Sequence, residues 1–145
     1  MNRELQILNQ LGLVPADSVT IPKSSFGIVQ HHALYLGYDE YNYHYMCENL
    51  IGVGVKLTRV EDFFKGVKHV TSIKKFTGDN FQRKQVVQRA LTKLGQPYHF
   101  INYNCEHFVN DVLQNNSTKN QVTTAFKVAS GVALFFLVVT LINEM

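Results

Sequence analysis

The chain has 145 residues, with 17% charged and 46% hydrophobic residues, enough for one domain with a real core and a small appendage but not a disordered polymer. A net charge of +3 suits a protein at an anionic surface and is too small, and too evenly spread, to argue for nucleic acid. Two cysteines, Cys47 and Cys105, make neither a disulfide framework nor a four-ligand zinc site, and point to a reducing compartment.

In chain order, the opening MNRELQILNQLGLVPADS carries Glu4 among its apolar positions and does not read as a secretory signal. Leu5, Leu8 and Leu11 predict a short helix stopped by Gly12 and Pro15, and a weak strand is expected over Ser18 to Ile21. Ile28 to Leu36 predicts a strong strand that ends at Gly37, with His31, Ala33 and Tyr35 on one face. Through the turn Gly37-Tyr38-Asp39-Glu40 the chain enters a second expected strand, Tyr41 to Cys47, whose Asn42, His44 and Met46 share a face. The two runs predict an antiparallel hairpin with His31 and His44 toward its middle, facing the same space.

Strands are further predicted over Ile51 to Thr58 and Val67 to Phe76, and the Gly52 and Gly54 pair suggests a bulge or a close backbone approach. Asp79 or Asn80 caps a helix with the apolar stripe Val86, Val87, Ala90, Leu91 and Leu94, ended by Gly95. A further helix starts at Cys105. Asn104 is its N-cap, and Phe108, Val109, Val112 and Leu113 share the face of Cys105. A thiol in a first turn feels the positive end of the helix dipole, which favours thiolate. A buried structural cysteine is the plainer reading of one such residue.

A polar linker follows at 115–124 and an apolar tail at 125–145, leaving 1–114 as the folded domain. From Val128 to Ile142 no charged residue occurs. That length of helix covers roughly 22 Å, and counting Ala125 to Asn143 with a snorkelling Lys127 brings it close to the ~30 Å of a bilayer core. The tail therefore predicts a single membrane helix, and Lys119 and Lys127 predict that the domain stays on the cytoplasmic side.

Two hairpin histidines and a cysteine at a helix start are the parts of a thiol nucleophile site: a base for the thiol proton and a group to orient that base. Asn104-Cys105-Glu106-His107-Phe108-Val109 resembles the signature of the lecithin:retinol acyltransferase-like family, also called H-box/NC proteins. His31-His32-Ala33-Leu34-Tyr35-Leu36-Gly37 resembles its H-box, with His32 in place of a Trp or Tyr, and Tyr41-Asn42-Tyr43-His44 resembles the segment carrying its third polar residue. Tyr98, seven residues before Cys105, and Pro15-Ala16-Asp17, with alanine for the family's glycine, extend the likeness over nearly the whole chain.

The resemblance implies an α+β, permuted papain-like (NlpC-type) fold, with an antiparallel sheet packed on the helix that bears the cysteine. It implies a membrane-associated thiol acyltransferase or phospholipase A acting on glycerophospholipid esters. Cys105 would be the nucleophile and form an acyl-thioester, with its amide as an oxyanion donor. His31 would be the general base and His44 would orient it. The acyl acceptor would be water, an amine, a lysolipid or a retinoid, and no cofactor or metal is called for. His107 is a poor base for Cys105, because residues two apart on a helix point away from each other. Two other readings stand beside this one. The first is an NlpC-type cysteine peptidase or amidase, disfavoured by the His-before-Cys order. The second is a non-catalytic H-box/NC binding or regulatory module.

Overall fold

The computed structural model describes residues 2–23 and 29–114. In that span the elements run α1 (Arg3–Leu11), β1 (Ser18–Pro22), β2 (Gln30–Tyr38), β3 (His44–Leu50), β4 (Gly54–Arg59), α2 (Val60–Phe63), β5 (Ser72–Lys74), α3 (Asn80–Thr92) and α4 (Cys105–Leu113). The strands form one antiparallel sheet in the order β4-β3-β2-β1-β5, and helices cover both faces, so the α+β class expected from the sequence is what is found.

Alternation along the strands sorts side chains into two cores. Leu34, Leu36, Cys47 and Val55 point to the face covered by α3 and α4 and pack on Val86, Val87, Ala90, Phe108 and Val112. Ala33, Tyr35 and Met46 point the other way, onto Leu8 of α1 and Val60 and Phe63 of α2. Phe108 is completely buried, so α4 is fixed by its apolar stripe rather than by its short length. Truncating that ring would cost about 3–5 kcal/mol.

Helix starts follow their caps. The Asn2 side chain accepts from the amide of Glu4, and Gly12 ends α1 in the left-handed conformation at φ 63°. Asp79 and Gln82 form a capping box on α3. The Pro15-Ala16-Asp17 segment is pinned to β2, with Ala16 N–H donating to Tyr35 O and Tyr35 N–H to Asp17 O, both 2.9 Å. Ala16 adopts a positive φ of 79°, a conformation that favours glycine.

Three sequence expectations change. The second strand starts at His44 rather than Tyr41, because the Asp39 carboxylate accepts from the amides of Tyr41 and Tyr43 and holds them in a wide turn with Asn42 at φ 60°. Only Ser72–Lys74 of the expected strand Val67 to Phe76 pairs with the sheet, since Val67 and Val70 pack into the α1–α2 core instead. Helix α2 was not foreseen; at four residues it is too short to show a periodicity. The predicted linker 115–124 and tail 125–145 lie outside the described residues. Among the described residues no helix is long and apolar enough to cross a membrane.

Candidate functional site

Cys105 is the first residue of α4, and that helix start is well built. Asn104 Oδ1 accepts from the His107 amide at 3.0 Å, while His107 Nδ1 accepts from the Asn104 amide at 3.3 Å, completing a capping box. His107 is thus engaged in the cap. The α4 stripe packs Phe108 and Val109 against the sheet, which delivers the half-buried Cys105 thiol to the first residues of β2, with Sγ 4.0 Å from Gln30 O.

His31 waits there. Its side chain hydrogen-bonds to the Cys105 thiol, and its Nε2 lies 2.7 Å from Glu48 Oε2. Both His31 and Glu48 are buried, and Phe63 covers the imidazole at a ring-centroid distance of 6.0 Å. Glu48 faces Ala33 across the β2–β3 pair, so it reaches His31 along the diagonal, which long side chains can span. Its other oxygen, Oε1, accepts from Thr58 Oγ1 at 2.5 Å. Because Nε2 is held by Glu48, Nδ1 is the nitrogen left for the thiol.

The charges support one another. Burial alone would lower the His31 pKa, but the hydrogen bonds from Cys105 and Glu48 and the Glu48 charge raise it above its ordinary 6.5. Burial would likewise raise the Cys105 pKa. Instead the His31 hydrogen bond, the backbone of His32 and Glu106 and the imidazolium charge bring it below 9.0. Burial pushes Glu48 up, yet its bonds to His31 and Thr58 hold it below 4.5. Each shift moves its group toward a thiolate–imidazolium pair backed by a carboxylate. Tyr98 stands close by: burial and then the Cys105 charge push its hydroxyl up. Among the described residues no group of three or more His, Cys, Asp or Glu is placed to hold a metal ion.

His44 is not part of this chain of groups. It pairs with Tyr38 at the turn end of the hairpin, four residues from Glu48 on the same strand face, about 13 Å along the strand. There its Nδ1 lies 2.8 Å from the Tyr35 hydroxyl, its amide donates to the buried Glu4 carboxylate at 3.0 Å, and Tyr38 packs on its ring. The structure places Glu48, and not the expected His44, beside the His31 imidazole. The Asp39-centred turn lengthens the hairpin and moves His44 away from the pair. A signal for Glu48 existed in the sequence, a lone carboxylate at the same strand face as His44 in an otherwise apolar and amide-bearing run.

An antiparallel α+β domain in which a helix-start thiol meets a strand imidazole and a carboxylate defines a cysteine–histidine thiol-site protein with the histidine first in sequence. The model of the lecithin retinol acyltransferase family matches residues 13–118, and the chain belongs to that family. No curated protein and no solved structure matches the chain.

Proposed function

We propose that the protein is a cysteine-dependent acyltransferase or phospholipase A-type acyl hydrolase acting on glycerophospholipid esters. Family membership supports acyl-transfer or acyl-hydrolase chemistry in general. The observation that carries the finer reading is the continuous chain Cys105–His31–Glu48 at the start of α4.

In this reading His31 Nδ1 takes the Cys105 proton, and the thiolate attacks the ester carbonyl. The Cys105 amide, one of the first-turn N–H groups that have no acceptor within a helix, would donate to the oxyanion. As the acyl C–O bond breaks, His31 returns the proton to the departing lysolipid oxygen, leaving an acyl-thioester on Cys105. Water, an amine, a lysolipid or a retinoid then gives its proton to His31 and attacks the thioester carbonyl. The thiolate departs and takes that proton back through His31. Glu48 holds the imidazole in the tautomer and orientation that both steps need, the role first expected of His44. The apolar tail 125–145 would keep the domain at its lipid substrate.

Intact-protein mass spectrometry after incubation with phospholipid vesicles tests this reading. The wild-type chain gains the mass of one acyl group, and Cys105→Ala gains none while keeping its circular dichroism spectrum. A folded wild-type protein that never acquires an acyl adduct, with a thiol no more reactive toward iodoacetamide than a free one, overturns it.

A further inference from the structure

Two chain reversals hold apolar side chains out at the end of the molecule that carries the thiol. In the β3–β4 turn, Ile51 and Val53 are each 63% exposed. Ahead of α4, His99 and Tyr103 pair through N–H to O bonds of 2.9 and 2.8 Å, leaving Phe100 and Ile101 at the tip, 77% and 74% exposed. The reversals are fastened to each other. Val55 N–H donates to Gln96 O at 2.9 Å, Asn49 Nδ2 donates to Tyr103 O at 2.8 Å, and at Gly54 a Cβ would collide with the Gln96 carbonyl. Register puts this assembly next to the site. Glu48 precedes the first turn by three residues, and Cys105 follows Tyr103 by two.

Four large apolar side chains exposed on two turns that are bonded to each other exceed the scattered singles of an ordinary surface and mark a contact surface. The charge around them narrows the partner. Lys23 follows Pro22, the β1 residue paired with Gln30, and Lys56 pairs with Glu48 across β3–β4, so both lysines belong to the strand ends that carry the site, with Glu106 of α4 offsetting part of their charge. We propose that this rim docks the site on an anionic phospholipid bilayer, with Ile51, Val53, Phe100 and Ile101 entering the headgroup layer and Lys23 and Lys56 meeting lipid phosphates. The purpose of the contact rests on the acyl-ester reading above. Its existence does not, and the two are measured separately. The chain's own apolar tail is the poorer occupant, because Val128 to Ile142 offers no charge to the lysines.

The chain contains no tryptophan, so Phe100→Trp in the full-length protein reports from one tip alone. In a Cys105→Ala background, its emission shifts to the blue and is quenched by brominated phosphatidylcholine in vesicles containing phosphatidylserine. The effect is weaker in pure phosphatidylcholine and falls with salt. Phe81→Trp is the control. It is 67% exposed in the first turn of α3, a turn that Arg83 ties to Pro15 away from the mouth, and it is not quenched. The double variant Phe100→Ser/Ile101→Ser keeps acylation by a soluble short-chain ester and loses on the order of tenfold or more on vesicles. Emission from Phe100→Trp that ignores vesicles overturns the proposal. So does emission already blue without lipid, which would mean that the tail or a second copy covers the tip, and so does equal quenching at both positions. Insertion without any thioester in the Cys105 protein defeats the acyl-ester reading and leaves the docking surface standing. A thioester without insertion does the reverse.

Discussion

Glu48 reaches diagonally from β3 to His31 on β2, and its Oε2 sits 2.7 Å from the imidazole Nε2 in a buried setting. That contact makes the pH dependence of the thiol a property of three groups. The lowered pKa of Cys105 extends thiolate to lower pH, and the raised pKa of His31 extends imidazolium to higher pH, so the two shifts widen the range in which the pair is charged. Glu48→Gln keeps the shape and removes the charge. His31 then loses its proton at lower pH and the thiolate loses part of its support, so the active window narrows from both sides. A loss of roughly 10²-fold in acylation rate is expected, together with inward movement of both limbs in the pH profile of iodoacetamide labelling. An unchanged profile would show that Glu48 is merely packed against the ring.

His44 gives the opposite expectation. Its ring is engaged with the buried Tyr35 hydroxyl, 2.8 Å away, and with Tyr38, at the end of the hairpin remote from the thiol. His44→Ala leaves the Tyr35 hydroxyl without its partner, which costs about 1–3 kcal/mol. Urea unfolding should record that loss, while the labelling rate of Cys105 under native conditions stays at the wild-type value. A collapse in thiol reactivity at unchanged stability would restore His44 to the site.

The contrast between Glu48 and His44 shows where a sequence stops being legible. Cys105 at a helix start and His31 on a strand follow from local patterns: an Asn cap, an apolar stripe and a β-rich run. The α+β class follows from the same patterns. The third group depends on hairpin register, and register depends on how the turn closes. Asp39 holds the amides of Tyr41 and Tyr43, and Leu36 lies at a bulge between the pairs Tyr35–Met46 and Gly37–Tyr45. Together these decide which β3 residue stands beside His31, and neither is visible in composition. The resemblance of Tyr41-Asn42-Tyr43-His44 to a family pattern speaks to residue types and not to the register in which β3 pairs with β2. Helix α2 and the shortness of β5 were hidden for a related reason, since both depend on packing against α1 rather than on their own periodicity.

Asp17 ties the segment before β1 to the rest of the domain. It is fully buried, with Lys75 Nζ at 2.8 Å, Arg83 Nη1 at 3.1 Å and the amides of Phe76 and Val14 at 3.0 and 3.1 Å. Burial would raise its pKa, but these four partners hold it below 3.8. Asp17→Ala strands the Arg83 guanidinium between the carbonyls of Pro15 and Phe76 and removes the acceptor of the Val14 and Phe76 amides. The expected cost is about 3 kcal/mol, moderated by the exposure of Lys75. Lys75→Ala should cost much less than Asp17→Ala in the same urea titration, because its side chain is half in solvent. Equal losses would mean that the salt bridge, rather than the amide cradle and Arg83, carries the effect.

The same linkage makes stability depend on pH with a calculable sign at the site. The folded pKa of Glu48 lies below its unfolded 4.5, so its contribution is complete above that value and is lost as pH falls through the folded pKa. The folded pKa of His31 lies above its unfolded 6.5, so its contribution is complete below 6.5 and is lost as pH rises through the folded pKa. Both contributions are whole between 4.5 and 6.5, and thermal unfolding should show the stabilisation from the Glu48–His31 contact greatest there. Glu48→Gln should flatten both flanks of the curve, since it removes one shift and part of the other. Thr58→Val should flatten the acid flank alone, because Thr58 bonds to Glu48 Oε1 and does not touch His31. A Glu48→Gln curve running parallel to the wild-type one would mean that the charge of Glu48 is not coupled to His31, and would remove the carboxylate from the site.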